Sequence, residues 1–485
     1  MLDRSVLRLG ASEQARRVAA GTLDVGVLRE LEGTERQRLA ESLNAFIGAA
    51  GAVPGLPPES EPAAEDDAAA TTELVGPTPL AGVSVAVKDN IDVAGEPSSC
   101  GLRALGATPA RRDACAVARL RRAGLVPCGK TNMAAMALGA STHNVDFGDC
   151  HNPLRPGYSA GGSSGGSASA VAAGLCGIAL GTDTMGSVRI PAAFCGIVGF
   201  KPTWGVLPVA GVVPLSRQLD HVGVLGRRLE DVALAYRSMR GTASLAAQAE
   251  APGDTVLAMP AALALSVGVQ RAFDDARRRL MAAGYRMRIV DFHGFDAART
   301  RRAGLLVCEA ELLNVLSGVY PEQRERLPAE LVALLDFAAG KRAADIGRSL
   351  ALLAQSRDWL QASCDGVDAL ILPTSPHLAF SMQDPVPADT ADLSAIANVM
   401  GAPALSLPLP AAAGELPAGL QLIGRRGFFV TPKSPARAAS ITSAAVIAFL
   451  VFIELFVGPR IADIAQILDS GKHVIALATA HKTAP

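Results

Sequence analysis

At 485 residues the chain is long enough for one large domain or two ordinary ones, either with a substantial core. Its 45 Lys and Arg against 46 Asp and Glu leave a formal charge of −1, which excludes the basic field that a nucleic-acid-binding surface needs. Aromatic residues are only 4% of a chain that is 49% hydrophobic, so small aliphatic side chains must form most of its core.

The N-terminus, Met1-Leu2-Asp3-Arg4, runs into a polar amphipathic stretch without the pattern of a secretory signal. Ser12 to Ala50 predicts two or three helices with Asp24 or Thr34 as caps, which makes 1–52 a helical segment. Residues 53–79 are rich in proline, alanine and acidic side chains and read as an exposed, partly disordered connection. A strand follows at Val83 to Val87 and ends on Lys88, with Asp89 and Asn90 marking its close. Asn152 to Tyr158, interrupted by Pro153 and Pro156, reads as a loop. The alanine-rich run from Ala168 to Leu180 predicts a buried helix leading into a short strand. From Ala251 to Asp365 the pattern is helical and chemically uninformative. Arg277 to Arg279, with Arg299, Arg301 and Arg302, read there as solvated helix faces rather than anion sites, though a carboxylated substrate is a use for one of them. Ala369 to Leu372 is another buried strand. Apolar strands alternating with helices predict an α/β fold, a large mixed β-sheet core covered by helices on both faces.

Two glycine-bracketed loops stand out. Gly161-Gly162-Ser163-Ser164-Gly165-Gly166-Ser167 is followed by Gly181-Thr182-Asp183-Thr184-Met185-Gly186-Ser187-Val188-Arg189-Ile190-Pro191, with Ser163 and Ser187 lying 24 positions apart. Glycine lets backbone N–H groups approach a substrate where a Cβ would collide, and leaves a serine hydroxyl reachable at a turn. A serine nucleophile beside an oxyanion hole is built this way. The first loop also fits the nucleophile-elbow pattern with Ser163 as nucleophile and His221, His293 or His377 downstream, although that motif requires a strand directly before the serine. A phosphate cradle lacks its Gly-Lys-Ser/Thr ending, and a flexible linker is the plain meaning of a glycine-serine run. Taken alone, Lys88 reads as a solvated surface lysine.

The eight cysteines are dispersed without C-x-x-C spacing, so they read as free buried thiols in a reducing compartment. His143 and His151 near Cys150 do not make a zinc site, and no metal is expected.

The ordered motifs resemble the amidase signature family. The similarity runs from Gly82 to Asn90 through Lys130-Thr131-Asn132, Asn152-Pro153, both serine loops and Gly199 to Thr203. It resumes at Leu372-Pro373-Thr374, Asn398 to Pro408 and Gly419 to Gly424, so that about four fifths of the chain is covered. The resemblance implies a catalytic domain over 80–427, with 251–365 shaping a variable substrate pocket. It implies a Ser-Ser-Lys triad in which Ser187 is the acyl-accepting nucleophile, Ser163, preceded by a cis peptide bond, relays the proton, and Lys88 is the base. A lysine serves as a base only if burial lowers its pKa by several units, and its apolar strand permits this. The resemblance further implies that the backbone of Thr184, Met185, Gly186 and Ser187 forms the oxyanion hole, with Gly162 and Ser164 beside the substrate; Asp183 and Arg189 flank the nucleophile, where bracing the loop is favoured over contact with substrate.

The activity implied is hydrolysis of a small-molecule amide through an acyl-enzyme in the cytoplasm, without cofactor or direct nucleic-acid contact, and family members are often dimers. Met185 departs from the family, which has a small residue there. It reads either as reshaping the acyl pocket or as an ordinary gap-filler. The amidase subunit of a glutamyl-tRNA amidotransferase is the alternative function. Such subunits usually carry a glutamine where this chain has Ile190, which favours a stand-alone hydrolase. A membrane-associated or inactive homologue is the further alternative.

The resemblance ends after Gly427. Within the 428–485 tail, the 17 residues from Ile441 to Val457 are apolar apart from Glu454, short for a membrane span, and stop at Gly458-Pro459. A membrane anchor, a packed helix and a frameshift-like non-native tail compete, and the abrupt change of character favours the last.

Overall fold

The structure, a computed structural model, describes residues 3–48, 80–106, 108–240, 255–292 and 294–424. The predicted connection at 53–79, His293 and the 428–485 tail with its apolar run at 441–457 lie outside the described residues.

Twelve strands are described: β1 (Ser84–Lys88), β2 (Val126–Thr131), β3 (His151–Asn152), β4 (Arg155–Ser159), β5 (Ile178–Thr182), β6 (Val198–Lys201), β7 (Val222–Gly226), β8 (Val256–Pro260), β9 (Arg286–Val290), β10 (Ala369–Pro373), β11 (Ala404–Pro408) and β12 (Gly419–Ile423). Ten form one mixed sheet in the order β2-β1-β5-β7-β6-β11-β12-β10-β8-β9. The helices are α1 (Ala11–Ala19), α2 (Val25–Leu43), α3 (Cys115–Arg122), α4 (Gly165–Ala173), α5 (Arg189–Cys195), α6 (Leu229–Arg240), α7 (Val267–Ala282), α8 (Ala297–Val315), α9 (Ala329–Ala339), α10 (Ala343–Ser363) and α11 (Ala395–Val399). Asp24 caps α2, its carboxylate accepting from the Val27 N–H at 3.0 Å, whereas Thr34 lies inside that helix. None of the helices among the described residues is long and apolar enough to cross a membrane.

Strand alternation assigns the two faces of the sheet. Val85, Val87, Ile178, Leu180 and Ile371 point into one core with α3, α6 and α7. Their neighbours point the other way. Ala86 and Ala179 meet α4 and α5 in a layer built largely of alanine and cysteine, and Leu370 and Leu372 meet α8 to α11. Both faces are covered, as the α/β reading expects. Lys88 shares the parity of Ala86, so its side chain emerges on the α4 side.

One expectation is corrected. The segment from Asn152 to Tyr158 is not a loop: β3 and β4 pair antiparallel as a separate two-stranded sheet, with Asn152 opposite Arg155, the two prolines sitting in a short ribbon outside the main sheet. The strand β4 therefore precedes Ser163 closely, which the nucleophile-elbow reading had lacked.

The N-terminal helices are tied to the sheet by polar contacts. Ser84 Oγ donates to Glu32 Oε1 at 2.6 Å, and Arg36 Nη1 to the Cys128 carbonyl at 2.7 Å.

Leu180 is fully buried in β5, an interior strand of the sheet. Leu180→Ala is expected to lower the unfolding free energy in urea by about 2–5 kcal/mol through lost transfer energy and an unfilled cavity. Met281→Ala, on the exposed side of α7, should change it by less than about 0.5 kcal/mol.

Candidate active site

β1 and β5 are parallel neighbours, with Val85, Ala86 and Val87 opposite Ile178, Ala179 and Leu180. Their carboxyl ends therefore meet at one edge, and Lys88 and the loop after Thr182 leave the sheet together. The helix α4 precedes β5 through a short turn and runs back along it, so Ser163 and Ser164, at its N-terminus, arrive at that same edge. The spacing between the serines is one helix down, one strand up.

Lys88 is fully buried. Its Nζ lies 2.7 Å from Ser163 Oγ and 2.8 Å from Thr182 Oγ1. Burial drives its pKa down to about 7 against the opposing pull of Asp183 and Asp220. The solvated-lysine reading does not hold here. The Gly162–Ser163 peptide bond is cis. A Cβ at Gly162 would collide with the backbone of Ser141, so only glycine fits.

Ser187 is 8% exposed, whereas Ser163 is fully buried, so Ser187 is the more reachable hydroxyl. The two loops touch directly, Ser164 N–H donating to the Ser187 carbonyl at 3.2 Å. The Ser164 hydroxyl donates to the Thr182 carbonyl at 3.3 Å, which ties this loop to the end of β5. Gly186 has φ +121°, and a Cβ there would strike Ser394 Oγ. Its N–H donates to Asp183 Oδ1 at 2.8 Å, which leaves the N–H groups of Thr184, Met185 and Ser187 as the candidate donors for a developing oxyanion.

The loop is held by a buried network. Arg189, fully buried, donates through Nε and Nη2 to both oxygens of Asp183, at 3.0 and 2.8 Å. It also reaches the Ser394 carbonyl at 2.8 Å, Asn398 Oδ1 at 2.6 Å, and Gln421 Oε1 on β12. Burial alone would raise the Asp183 carboxyl, but Arg189 outweighs it and holds the group well below the usual carboxylate range. Thr184 Oγ1 donates to Asp220 at 2.6 Å, and burial pushes that carboxyl up to about 6.

Two histidines of the elbow reading, His221 and His377, are engaged elsewhere. His221 Nε2 meets Lys201 Nζ at 3.1 Å while its Nδ1 meets the Leu219 carbonyl at 2.7 Å. The carbonyl contact places a proton on Nδ1, and burial lowers the pKa of the ring well below its ordinary value. His377 pairs with Asp389 at 2.7 Å. Among the described residues it is Lys88, not a histidine, whose side chain contacts Ser163 Oγ.

A cavity of about 200 Å³ opens beside Ser187, Gly162 and Thr184. Met185 lines it, with its Sδ packed against α8, where a Cβ at Gly304 would come within 3.2 Å. It is thus a wall of the pocket, not a filler elsewhere. Further walls come from 137–140, from Arg301 and Leu305 on α8, and from 386–388 with Thr390 and Ala391. Sequence reasoning missed these, and it placed Arg301 on a solvated face. Its side chain is only 15% exposed and donates to Asp392. A signal was present: Arg301 sits between Thr300, Ala303 and Gly304 on the buried stripe of α8. Gln421 was equally legible as a lone polar residue in an apolar strand.

The Amidase family profile matches residues 56–428. A glutamyl-tRNA(Gln) amidotransferase subunit of Thermus thermophilus is 35% identical over 394 residues, 73% of this chain and 83% of that protein. Indoleacetamide hydrolase of Pseudomonas savastanoi is 48% identical over 164 residues, 34% of this chain and 36% of that protein. A crystal structure of an amidase superposes with a TM-score of 0.77 at 28% identity, over 91% of this chain and 99% of its own.

Replacing Arg189 tests the network. Arg189→Met leaves the buried Asp183 carboxylate uncompensated and is expected to cost about 3–5 kcal/mol of stability in urea denaturation.

Proposed function

The chain belongs to the amidase family, and on that premise we propose that it hydrolyses the C–N bond of a small amide through Ser187, Ser163 and Lys88. The observation that carries this reading is the 2.7 Å contact between Ser163 and a fully buried lysine whose pKa falls to about 7. A neutral amine at that position is a base at physiological pH.

In this mechanism Ser187 Oγ attacks the substrate carbonyl as its proton passes to Ser163 Oγ, whose own proton moves to Lys88 Nζ. The oxyanion is met by N–H groups of Thr184, Met185 and Ser187, each such donor being worth about 10²- to 10³-fold in rate. The C–N bond then breaks. The proton returns along the same route to the leaving nitrogen, which departs as ammonia or an amine. Water repeats the sequence on the acyl-enzyme and frees the acid.

The similarity to the Thermus amidotransferase protein over most of its length favours a second reading, in which the released ammonia serves a partner. Ile190 supports the stand-alone hydrolase instead, because it adds an apolar side chain to the cavity wall. The 200 Å³ that remains beside Ser187 with Met185 in place supports an active enzyme over an inactive homologue.

Two measurements test the reading. Lys88 accepts a proton only when neutral, so kcat/KM should rise about tenfold per pH unit below pH 7 and flatten above it, where the lysine is deprotonated. Lys88→Ala should lower the plateau by about 10²- to 10⁴-fold and abolish that limb. Intact-mass labelling with a fluorophosphonate should vanish in Ser187→Ala and weaken in Ser163→Ala. Labelling lost only with Ser163→Ala would instead make Ser163 the nucleophile, and an unlabelled wild type would rule the mechanism out.

A further inference from the structure

The cavity has an asymmetry that the catalytic reading leaves unused. Its walls are small and aliphatic, among them Ala137, Leu138, Leu305 and Pro387, and Arg301 is the one charged side chain lining it among the described residues. Arg301 rises from the second turn of α8, one turn before Leu305 and beside the Gly304 that receives Met185. Its Nε donates to Asp392, just beyond the wall segment 386–391. That bond fixes the guanidinium plane. The two terminal nitrogens have no hydrogen-bond partner among the described residues.

We propose that Arg301 is a specificity-determining residue that binds a carboxylate at the end of the substrate remote from the scissile amide, so that the preferred substrate is a small half-amide of a dicarboxylic acid. The proposal rests on the amide-hydrolase reading above and deepens it. A guanidinium with its Nε side anchored presents its terminal nitrogens as a planar fork, which a carboxylate meets with two parallel hydrogen bonds. An amide ending in a methyl group would strip water from those N–H groups and leave them unpaired, so the pocket rejects it. Asp392 positions the fork and does not touch substrate.

The test measures binding, not turnover. The Ser187→Ala protein is titrated calorimetrically with straight-chain primary amides of equal length ending in a carboxylate or in a methyl group. The carboxylate-ended amide should bind about 10- to 100-fold tighter. Adding Arg301→Met should bring that ratio close to one. Arg301→Lys, which keeps the charge and can still pair with Asp392 but lacks the fork, should keep only part of the preference. Equal binding of the two amides to the Ser187→Ala protein would overturn the proposal, as would a preference that survives Arg301→Met. Because no bond is broken in this assay, it decides the role of Arg301 even if the full enzyme hydrolyses neither amide, which would count against the catalytic reading alone.

Discussion

The desolvation of one lysine organises the site. Lys88 ends a strand whose alternate residues lie in two cores, and its own parity carries it under α4 instead of into water. An ammonium there loses its hydration, so the neutral amine gains on it, and the pKa falls to about 7 despite two carboxylates nearby. The alanines around it, Ala86, Ala168 and Ala179, are small enough for α4 to lie close to the sheet and bring Ser163 to 2.7 Å. Larger side chains in this layer would lift the helix and separate the pair. The composition of the layer and the chemistry of the site are the same fact seen at two scales.

A second buried charge works in the opposite direction. Arg189 and Asp183 are both fully buried and pair at 2.8 Å, with every strong hydrogen-bonding direction of the pair met. Asp183 gathers the N–H groups of Gly186 and Val188, and Arg189 gathers α11 through Asn398 and β12 through Gln421. The Ser187 loop is thus set by residues more than two hundred positions away. Unpaired, Lys88 is pushed toward neutrality; paired, Arg189 and Asp183 form a rigid ionic brace. The same low-polarity surroundings give both results, and the difference is whether a partner of opposite charge lies within hydrogen-bond reach.

The pocket beside this machinery is assembled differently. Met185 fits because Gly304 is small, and Arg301 stands where it does because Asp392 holds it. Much of the wall comes from segments outside the serine loops, so substrate choice can change on α8 and at 386–388 without disturbing the buried brace. This separation is consistent with one catalytic centre serving relatives named for different amide chemistry.

The strands at Val83–Val87, Ile178–Leu180 and Ala369–Leu372, the α/β class and the family were all legible in the sequence, because apolar period and glycine placement are local properties. So were Lys88, Ser163 and Ser187 as a set, through ordered motifs. The short ribbon of β3 and β4 was hidden by its prolines, and Thr182, Asp220, Asn398 and Gln421 gave no local sign of their partners. Arg301 was misplaced because a helical arginine next to others has the pattern of a solvated face whether or not a cavity lies in front of it. The sequence by itself therefore determined which chemistry the chain carries and which strands build its sheet. Only the tertiary structure decided how far Lys88 is desolvated, which N–H groups Asp183 consumes and which side chains wall the pocket, because burial and hydrogen-bond partnership depend on segments that meet only after folding.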